Sequence, residues 1–410
     1  MNAPVRTLIL GSLLLAGVAS AKTTVTFWHT YNTDSTENKI LTSKIIPDFE
    51  KKNPDIDVVA QQIPYTEFRQ KMLTSVAGET GPDLARIDII WTPEFAQLGA
   101  LEKVDDMPGF KGLKSQVFPG PLSTNVYDGG YYGVPLDTNT QVLIWNPEML
   151  KAAGISKPPT TMAQFKTTLE KLQKKDGNKI TQYGFAVPGP YNWFLLPWIW
   201  SNGGEITDPK VTKATGYLNS PKTVAAVQTL VDWYKAGLIS PSIAGSGLGS
   251  WEGMGAGKYA GSQDGPWAFP SLQAQYPKLS VTHSPFPSGA GGSVSVVGGE
   301  NIVLFKSSKN KAAAWKFLRY LLSKDAQITM ATTGQIPVLK SLVNDPYIKG
   351  HPYYGVYLKQ LSKAKARPPH PAYTKMEDLI QGQFQEIFSG KKTVQAALDE
   401  AAQKVDAVLK

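Results

Sequence analysis

Residues 131–145 (YYGVPLDTNTQVLIW) limit the path of the backbone more than any other stretch of this sequence. Gly133 and Pro135 restrict the main chain, and the proline disfavours a helical conformation at the residue before it. Residues 142–145 are rich in β-forming side chains and predict a buried strand. The stretch therefore predicts an extended passage between two bodies of the protein, with one carboxylate, Asp137, at the passage. The alternative is that Asp137 only forms a local turn.

The chain of 410 residues is too long for one ordinary hydrophobic core, which predicts two domains. Hydrophobic residues make up 42% of the sequence and charged residues 18%, as is usual for a soluble globular protein. The 10 tryptophans fit either a large core or a pocket that stacks flat ligands.

Residues 1–21 have the pattern of a secretory signal peptide. Arg6 supplies the positive start, residues 8–18 form a short apolar segment, and the small residues ASA end the pattern at Ala21. A membrane anchor is the alternative, but the apolar segment is too short to span a bilayer core of ~30 Å. We therefore expect cleavage after Ala21 and export of a soluble mature chain.

The sequence contains no cysteine, so the stability of an exported chain must come from its core and not from disulfides. The cysteine that anchors a bacterial lipoprotein is also missing. These facts favour a freely diffusing periplasmic or secreted protein that is not a lipoprotein. The formal net charge is +9, but the lysines are scattered and form no dense basic run. We therefore expect no nucleic-acid partner.

Patterns typical of strands and helices alternate along the sequence, which predicts an α/β fold. Residues 22–27 and 56–60 predict strands on either side of a helix that begins near Thr36. Such a β-α-β unit implies a parallel sheet. Pro47 lies within this helical pattern and is expected to kink or shorten the last turn. Two C-terminal helices are predicted over residues 374–389 and 393–409.

Three further local patterns make predictions that a structure can test. Residues 183–187 predict a strand. Residues 294–305 have a nearly continuous β pattern, which the Gly-Gly-Glu triplet at 298–300 is expected to break. Ser308 is expected to cap a helix over residues 311–323.

Sequence patterns of catalytic sites are largely missing. There is no nucleophile elbow, phosphate loop, dinucleotide fingerprint or zinc-protease motif. A pair of acids for glycoside hydrolysis stays open, because its signal is a distance. The balance favours a binding protein over an enzyme, with no cofactor and no metal. Metal-ligand spacing is absent from the four histidines, which are His29, His283, His351 and His370.

Aromatic side chains accumulate in residues 188–204, and the turn Gly265-Pro266-Trp267 presents an indole. Isolated acids occur among these aromatic segments. This combination suits a sugar, because a pyranose stacks its apolar face on an aromatic ring while its hydroxyl groups bond carboxylates and amides. The aromatic residues of the first segment are Tyr191, Trp193, Phe194, Trp198 and Trp200.

A series of short motifs, in their order along nearly the whole mature chain, resembles a known family. This family comprises the extracellular solute-binding proteins (solute-binding family 1) of ABC importers for maltose, trehalose and other oligosaccharides. The motifs are FEKKNP at 49–54, GPD at 81–83, YGVP at 132–135, PPTT at 158–161, GPW at 265–267, SKNKA at 308–312, GQIP at 334–337 and RPP at 367–369.

The resemblance implies an α/β fold of the periplasmic-binding-protein type, with two lobes, crossing hinge segments and a helical C-terminal extension. It also implies a sugar between the lobes, a monomer, and docking on the membrane permease subunits of an ABC importer. The N-terminal lobe would comprise residues 22–137 and 297–335, and the C-terminal lobe residues 138–296 and 336–410.

By position in the family, Asp137 is expected to be the hinge carboxylate and Trp267 the stacking indole. Gly299 is expected to let the backbone approach the ligand closely. The resemblance implies ten ligand-binding residues, which are Glu37, Asn38, Arg69, Asp88, Asp137, Trp193, Trp267, Gly299, Glu300 and Arg367.

Several of these residues have a plainer alternative role. The two tryptophans could belong to the core, Asp88 could cap the end of a strand, and Arg367 could form a surface ion pair. Glu37 could interact only with the dipole of its helix. Glu300 could be structural; it stands where some trehalose and maltose binders have an aromatic residue, which leaves the identity of the sugar open.

The sequence thus predicts a periplasmic receptor that captures a disaccharide or short oligosaccharide, similar to maltose or trehalose, by hinge closure. One alternative is a secreted carbohydrate-active enzyme that uses two of the acids. The other is a receptor for a polyol phosphate or a polyamine. A polyamine site would need several clustered acids, and a phosphate site would need a helix N-terminus with arginine or serine donors.

Overall fold

The computed structural model describes residues 22–410, so the predicted signal peptide lies outside the described residues. The fold is α/β with two lobes, as predicted. The strands are β1 (Thr23–His29), β2 (Ile56–Gln62), β3 (Leu84–Asp88), β4 (Val126–Tyr127), β5 (Gly130–Tyr131), β6 (Val134–Asn139), β7 (Val142–Trp145), β8 (Lys174–Asp176), β9 (Lys179–Gln182), β10 (Gly261–Asp264), β11 (Thr282–Ser284), β12 (Ser295–Leu304), β13 (Ile336–Pro337) and β14 (Ala364–Ala366).

Helices connect and cover these strands, and none of those in residues 22–410 has the length and apolar character needed to cross a membrane. The α-helices are α1 (Thr36–Ile40), α2 (Ile46–Lys52), α3 (Tyr65–Ala77), α4 (Thr92–Gln97), α5 (Phe110–Gln116), α6 (Pro119–Ser123), α7 (Pro147–Ala152), α8 (Met162–Leu172), α9 (Asn192–Ser201), α10 (Pro221–Lys235), α11 (Ser250–Gly255), α12 (Ala268–Gln275), α13 (Lys311–Leu321), α14 (Lys324–Ala331), α15 (Pro346–Gly350), α16 (Pro352–Leu361), α17 (Tyr373–Phe388) and α18 (Val394–Val408).

The larger sheet has the strand order β13-β6-β12-β3-β1-β2, and β14 pairs with one end of β12. Strand β1 runs parallel to both β2 and β3, which confirms the predicted β-α-β opening. Strand β12 runs antiparallel to its neighbours β3 and β6. The carboxyl ends of β3 and β6 therefore lie beside the middle of β12, at residues 298–300.

The smaller sheet has the order β10-β7-β11, and β7 confirms the predicted buried strand. The chain reaches it from β6 of the larger sheet through only two residues, Thr140 and Gln141. Both residues are bonded to the start of β12. The Thr140 hydroxyl donates to the carbonyl of Val296 (2.8 Å), and the amide of Gln141 donates to the hydroxyl of Ser295 (3.3 Å).

The predicted break at Gly298-Gly299 is wrong, because β12 continues through both glycines. Gly299 has a φ of +132°, and a Cβ atom there would lie 2.5 Å from the carbonyl oxygen of Asp137 on β6. The ladder between β12 and β6 shifts its register between Glu300 and Asn301. The glycines therefore allow β12 and β6 to approach each other closely beside a bulge, and they do not end the strand.

Of the two effects predicted for Pro47, a kink or a shortened last turn, the shortening is wrong, since α2 continues to Lys52. A π-helical turn, Leu41–Ile45, separates α1 from α2 just before the proline. A proline has no N–H to donate, and a local change in the hydrogen-bond pattern accommodates it without a break in the helix.

Two other local predictions also differ from the structure. Residues 183–187 form three isolated bridges, to Tyr259, Ile239 and Ser262, and no continuous strand. Ser308 does not cap α13, because Asn310 occupies the N-cap position. The Ser308 hydroxyl instead donates to the Asp83 carboxylate, which ties the start of this segment to the larger sheet.

Aromatic pairs contribute to the core of each lobe. Phe49 packs against Phe317 beside the larger sheet, with their ring centroids 4.9 Å apart. Phe165 packs against Trp198 beside the smaller sheet, also at 4.9 Å. The two C-terminal helices were predicted correctly, and α17 lies against α9 and carries polar side chains to the site described next.

Candidate binding site

A cavity of about 370 Å³ lies between the central strands of the larger sheet and the helices α9 and α17. This position, beyond the ends of the strands, is where α/β proteins usually bind ligands. The residues that line the cavity are Tyr65, Asp88, Asn139, Tyr191, Asn192, Trp193, Phe194, Trp267, Gly298, Gly299, Glu300, Arg367, Glu377 and Gln381.

Asp88 ends β3, and its carboxylate is bonded on both oxygens. Oδ1 accepts from the amide of Ile90 (3.1 Å) and from Nη2 of Arg367 (2.9 Å). Oδ2 accepts from the hydroxyl of Tyr65 (2.9 Å). The predicted alternative, a strand-end cap, is thus one of the roles of Asp88, but the same carboxylate also holds Arg367 at the cavity.

Arg367 follows β14 and is 7% exposed, so it is not a surface ion pair. Its Nη1 lies 3.8 Å from the carboxylate of Glu377, in addition to its bond with Asp88. The guanidinium also lies over the ring of Trp193, 5.5 Å from the centroid. Two acids and one aromatic face therefore fix the position of this cation.

Arg86, Asp137 and Glu300 form a second charged cluster behind the cavity. Nη2 of Arg86 lies 2.8 Å from Glu300 and 3.7 Å from Asp137, and its Nη1 donates to the hydroxyl of Thr30 (2.7 Å). The guanidinium stacks on Tyr31, 3.9 Å from the ring centroid. One buried cation is thus shared by two carboxylates.

The strand register explains why these acids lie close together. Glu300 on β12 is directly opposite Asp88 on β3 and Asp137 on β6. Burial raises the pKa of Glu300 well above its ordinary value, and Asp137 adds to the rise while Arg86 opposes it. Arg86 can neutralise only one of the two negative charges, so the second carboxylate disfavours ionisation of Glu300.

Two tryptophans reach the cavity from different parts of the chain. Trp193 lies near the start of α9 and rests on Gly298, where a Cβ atom would come within 2.4 Å of the indole. Trp267 lies at the start of α12 and covers Gly265 in the same way, at 2.2 Å. Glycine is therefore required at both positions to make room for a ring.

Helix α17 adds polar groups that the sequence did not single out. Glu377 and Gln381 are one turn apart and line the cavity together. Asn192, at the start of α9, is 1% exposed and donates from Nδ2 to the main-chain carbonyl of Glu377 (3.2 Å). Burial raises the pKa of Glu377 to about 7, and Arg367 opposes that rise.

The structure brings together six of the ten residues expected to bind ligand. They line one cavity and are Asp88, Trp193, Trp267, Gly299, Glu300 and Arg367. The other four, Glu37, Asn38, Arg69 and Asp137, do not line it.

Each of the four has a partner in the protein. Glu37 accepts from Nε2 of Gln335 (3.3 Å), and Asn38 donates to a carbonyl of its own loop (2.8 Å). Arg69 forms a bidentate ion pair with Glu94. Asp137 lies behind Glu300, beside Arg86.

Eight residues that line the cavity were not among the ten. The neighbours of a predicted tryptophan in sequence, such as Tyr191 and Asn192, could have been included on proximity alone. Glu377 and Gln381 show only the spacing of one helix face, which does not indicate what that face meets. The eight are Tyr65, Asn139, Tyr191, Asn192, Phe194, Gly298, Glu377 and Gln381.

No three acidic or histidine side chains among residues 22–410 are arranged to hold a metal ion. With the side chains that are present, the arrangement can do two things. It can stack a flat, partly apolar molecule on indole rings, and it can bond polar groups of that molecule with buried charged and amide groups.

Comparison with known proteins gives one family model that matches this chain, over residues 32–328, described as "Bacterial extracellular solute-binding protein". A binding protein of Brucella abortus (strain 2308) is 28% identical over 374 residues, which are 88% of each chain. The maltotriose-binding protein of Pyrococcus abyssi is 26% identical over 376 residues, 90% of this chain and 78% of the relative.

Among solved structures, the GacH receptor of Streptomyces glaucescens has a TM-score of 0.85 at 25% identity. The match covers 95% of this chain and 99% of the receptor, which was solved without ligand and with acarbose. The likeness therefore extends over both lobes.

Proposed function

Since the chain belongs to the bacterial extracellular solute-binding protein family, a family of binding proteins and not of enzymes, we propose that it is the carbohydrate receptor of an ABC importer. It captures a disaccharide or short oligosaccharide, similar to maltose or trehalose, between its two lobes. The permease subunits of the importer then receive the sugar. The predicted signal peptide directs the chain to the periplasm, where it acts as a freely diffusing monomer.

The observation that carries this proposal is the presence of two indole rings, Trp193 and Trp267, at one cavity lined by buried polar groups. A pyranose ring has apolar C–H faces that stack on indole and hydroxyl groups at its rim. The volume of the cavity, about 370 Å³, lies within the usual range for small-molecule sites.

The charged groups of the site are suited to hydroxyl recognition. Arg367 is held rigidly by Asp88 and Glu377, so it offers donors in a fixed direction. A ligand hydroxyl donates and accepts, and its loss would leave buried groups without partners, which gives selectivity. The ligands of the Pyrococcus abyssi relative and of the GacH receptor, maltotriose and acarbose, also support a carbohydrate.

For hinge closure, we propose the lobe boundaries that the family resemblance implies. The N-terminal lobe comprises residues 22–137 and 297–335, and the C-terminal lobe residues 138–296 and 336–410. The passages are the link from β6 to β7, the first half of β12, and the chain after β13. Few passages of this kind permit rotation of one lobe against the other.

The first prediction concerns ligand identity. Maltose, maltotriose, trehalose and sucrose are each tested by thermal unfolding and calorimetry. A sugar at 100 times its dissociation constant is expected to add about 2.7 kcal/mol of stability. Chromatography of the same mixtures is expected to show each sugar unchanged. Sugar cleavage in proportion to protein would support the enzyme instead, and no response to any carbohydrate would reject the proposed function.

The second prediction concerns motion. A sugar that contacts both lobes favours the closed form by the difference between its affinities for the closed and open forms. We expect the radius of gyration from small-angle X-ray scattering to fall when a saturating sugar is added. The control is a sugar that calorimetry shows not to bind. An unchanged radius with a bound sugar would reject hinge closure while leaving the binding function intact.

A further inference from the structure

Acidic side chains outnumber basic ones at the cavity, and we propose that its carbohydrate carries a protonated amine, which Glu377 and Asn192 bind. The ligand would then be an amino sugar or an oligosaccharide with an amine group, and not a neutral glucoside. This inference rests on the proposed carbohydrate function and specifies the class of sugar.

The charges at the cavity are unequal. Asp88, Glu300 and Glu377 line it, whereas Arg367 is the one lysine or arginine among the described lining residues. Asp88 is fully bonded, and Glu300 is paired with Arg86 behind it. Glu377 is different, because its nearest cation, Arg367, lies at 3.8 Å and is bonded more closely to Asp88.

Glu377 is therefore a poorly compensated acid at the cavity. Within residues 22–410, no donor forms a hydrogen bond with its carboxylate. The raised pKa of this group, about 7, has the same origin, since burial penalises the ionised form. A cation that binds here supplies the missing charge and restores a charge-assisted hydrogen bond.

Asn192 is an independent observation that indicates the same class of ligand. Its Nδ2 donates to the main chain of Glu377, which directs Oδ1 away from that bond. Oδ1 is buried, and none of the residues described by the structure donates to it. Oδ1 of Asn139, which also lines the cavity, is likewise buried without a donor among the described residues. Two amide oxygens and a carboxylate all require donors, and an ammonium group has three donors and no acceptor.

The tryptophans explain why the amine belongs to a carbohydrate and not to a simple polyamine. Trp193 and Trp267 offer flat apolar faces, which a linear polyamine has no ring to cover. An indole face also attracts a cation through its quadrupole, so the same rings favour a sugar with an amine over a neutral one.

The experiment uses calorimetry at pH 7 to compare pairs of disaccharides that differ only in carrying amino groups in place of hydroxyl groups. Trehalose is paired with trehalosamine, and cellobiose with chitobiose, so that both an α and a β linkage are present. We expect an amine to bind at least about tenfold more tightly than its neutral counterpart, the size of one charge-assisted bond. N,N′-diacetylchitobiose, whose nitrogen is uncharged, is expected to lose this advantage.

Two variants test the assignment to Glu377. Glu377→Gln is expected to reduce the preference for the amine to within about twofold, since the variant retains the shape but not the charge. Asp378 is the next residue of α17 and does not line the cavity. Asp378→Asn removes its charge and is expected to retain the preference for the amine. Asn192→Asp, which adds a carboxylate, is expected to increase it.

The outcomes separate this inference from the proposed function. A neutral sugar that binds as tightly as its amine counterpart would overturn the inference and leave the receptor function in place. An amine preference that persists in Glu377→Gln and is unchanged in Asn192→Asp would show that these two residues do not bind the amine. Binding of spermidine without any carbohydrate would overturn both.

Discussion

Replacing Arg86 with methionine is expected to lower the free energy of unfolding at pH 7 by about 3–5 kcal/mol, the usual cost of removing one partner from a buried ion pair. Arg86 is 4% exposed and is the cation between Glu300 and Asp137. Methionine has a similar length and leaves both carboxyl groups buried without a cation. Chemical denaturation of the two proteins measures the difference.

The loss of stability in Arg86→Met should increase as the pH rises. The pKa of Glu300 is already above the ordinary value of 4.5 in the folded chain, and removal of Arg86 raises it further. A group whose pKa is higher in the folded state stabilises the fold fully below its unfolded pKa. That contribution is lost as the pH rises through the folded pKa. The variant should therefore be closest to the parent protein near pH 5 and furthest from it near pH 8.

Arg69→Met provides the matched control. Arg69 also pairs with one acid, Glu94, but its side chain is 31% exposed. Water already screens this pair, so its loss should cost no more than about 1 kcal/mol. A second variant, Arg86→Met with Glu300→Gln, should recover part of the stability. Equal losses in the two single arginine variants would show that the Arg86 cluster is not the buried charge network described above.

The parts of the fold that could be predicted from the sequence depend on local patterns. The alternation of residues 22–60 predicted two strands and a helix, because each element faces one core with its own periodicity. The segment that enters β7 was predicted for the same reason. In these elements, the identities of nearby residues are enough to specify the structure.

The Gly-Gly pair of β12 shows where local patterns fail. Glycines commonly interrupt strands, but here they admit the backbone of β6 and the ring of Trp193. A partner strand more than 150 residues away decides the outcome, and no local pattern records it. Residues 183–187 failed as a strand for a related reason, since their isolated bridges go to residues distant in the sequence, Ile239, Tyr259 and Ser262.

The type of site could be predicted from the sequence, but the full set of residues that form it could not. Several acids and both tryptophans of the cavity could be recognised from their places in the sequence. Arg69 was also expected to bind ligand, but it pairs instead with Glu94, 25 positions away. Glu377 was missed because α17 shows only that it shares a face with Gln381. Whether such a face meets solvent, core or a cavity depends on tertiary packing against α9, which periodicity does not contain.

Trp267→Ala is expected to weaken sugar binding by about 2 kcal/mol or more, which is about 30-fold in the dissociation constant. The indole lines the cavity and is held over Gly265 at the start of α12, so it faces a ligand without rearrangement. Its loss removes a stacking surface and leaves apolar C–H groups of the sugar in contact with water. Calorimetry with the sugar identified for the parent protein measures the change.

The control must separate stacking from packing, because Trp267 also lies against the small core around Ile144 and Met254. Trp251 packs against that same core, and its Nε1 donates to Asp264 (2.8 Å), but it does not line the cavity. Trp251→Ala should therefore lower the free energy of unfolding without changing the affinity of the folded protein. If both alanine variants weaken binding equally, the effect of Trp267 comes from the core. If Trp267→Ala binds as the parent does, its indole does not stack on the ligand.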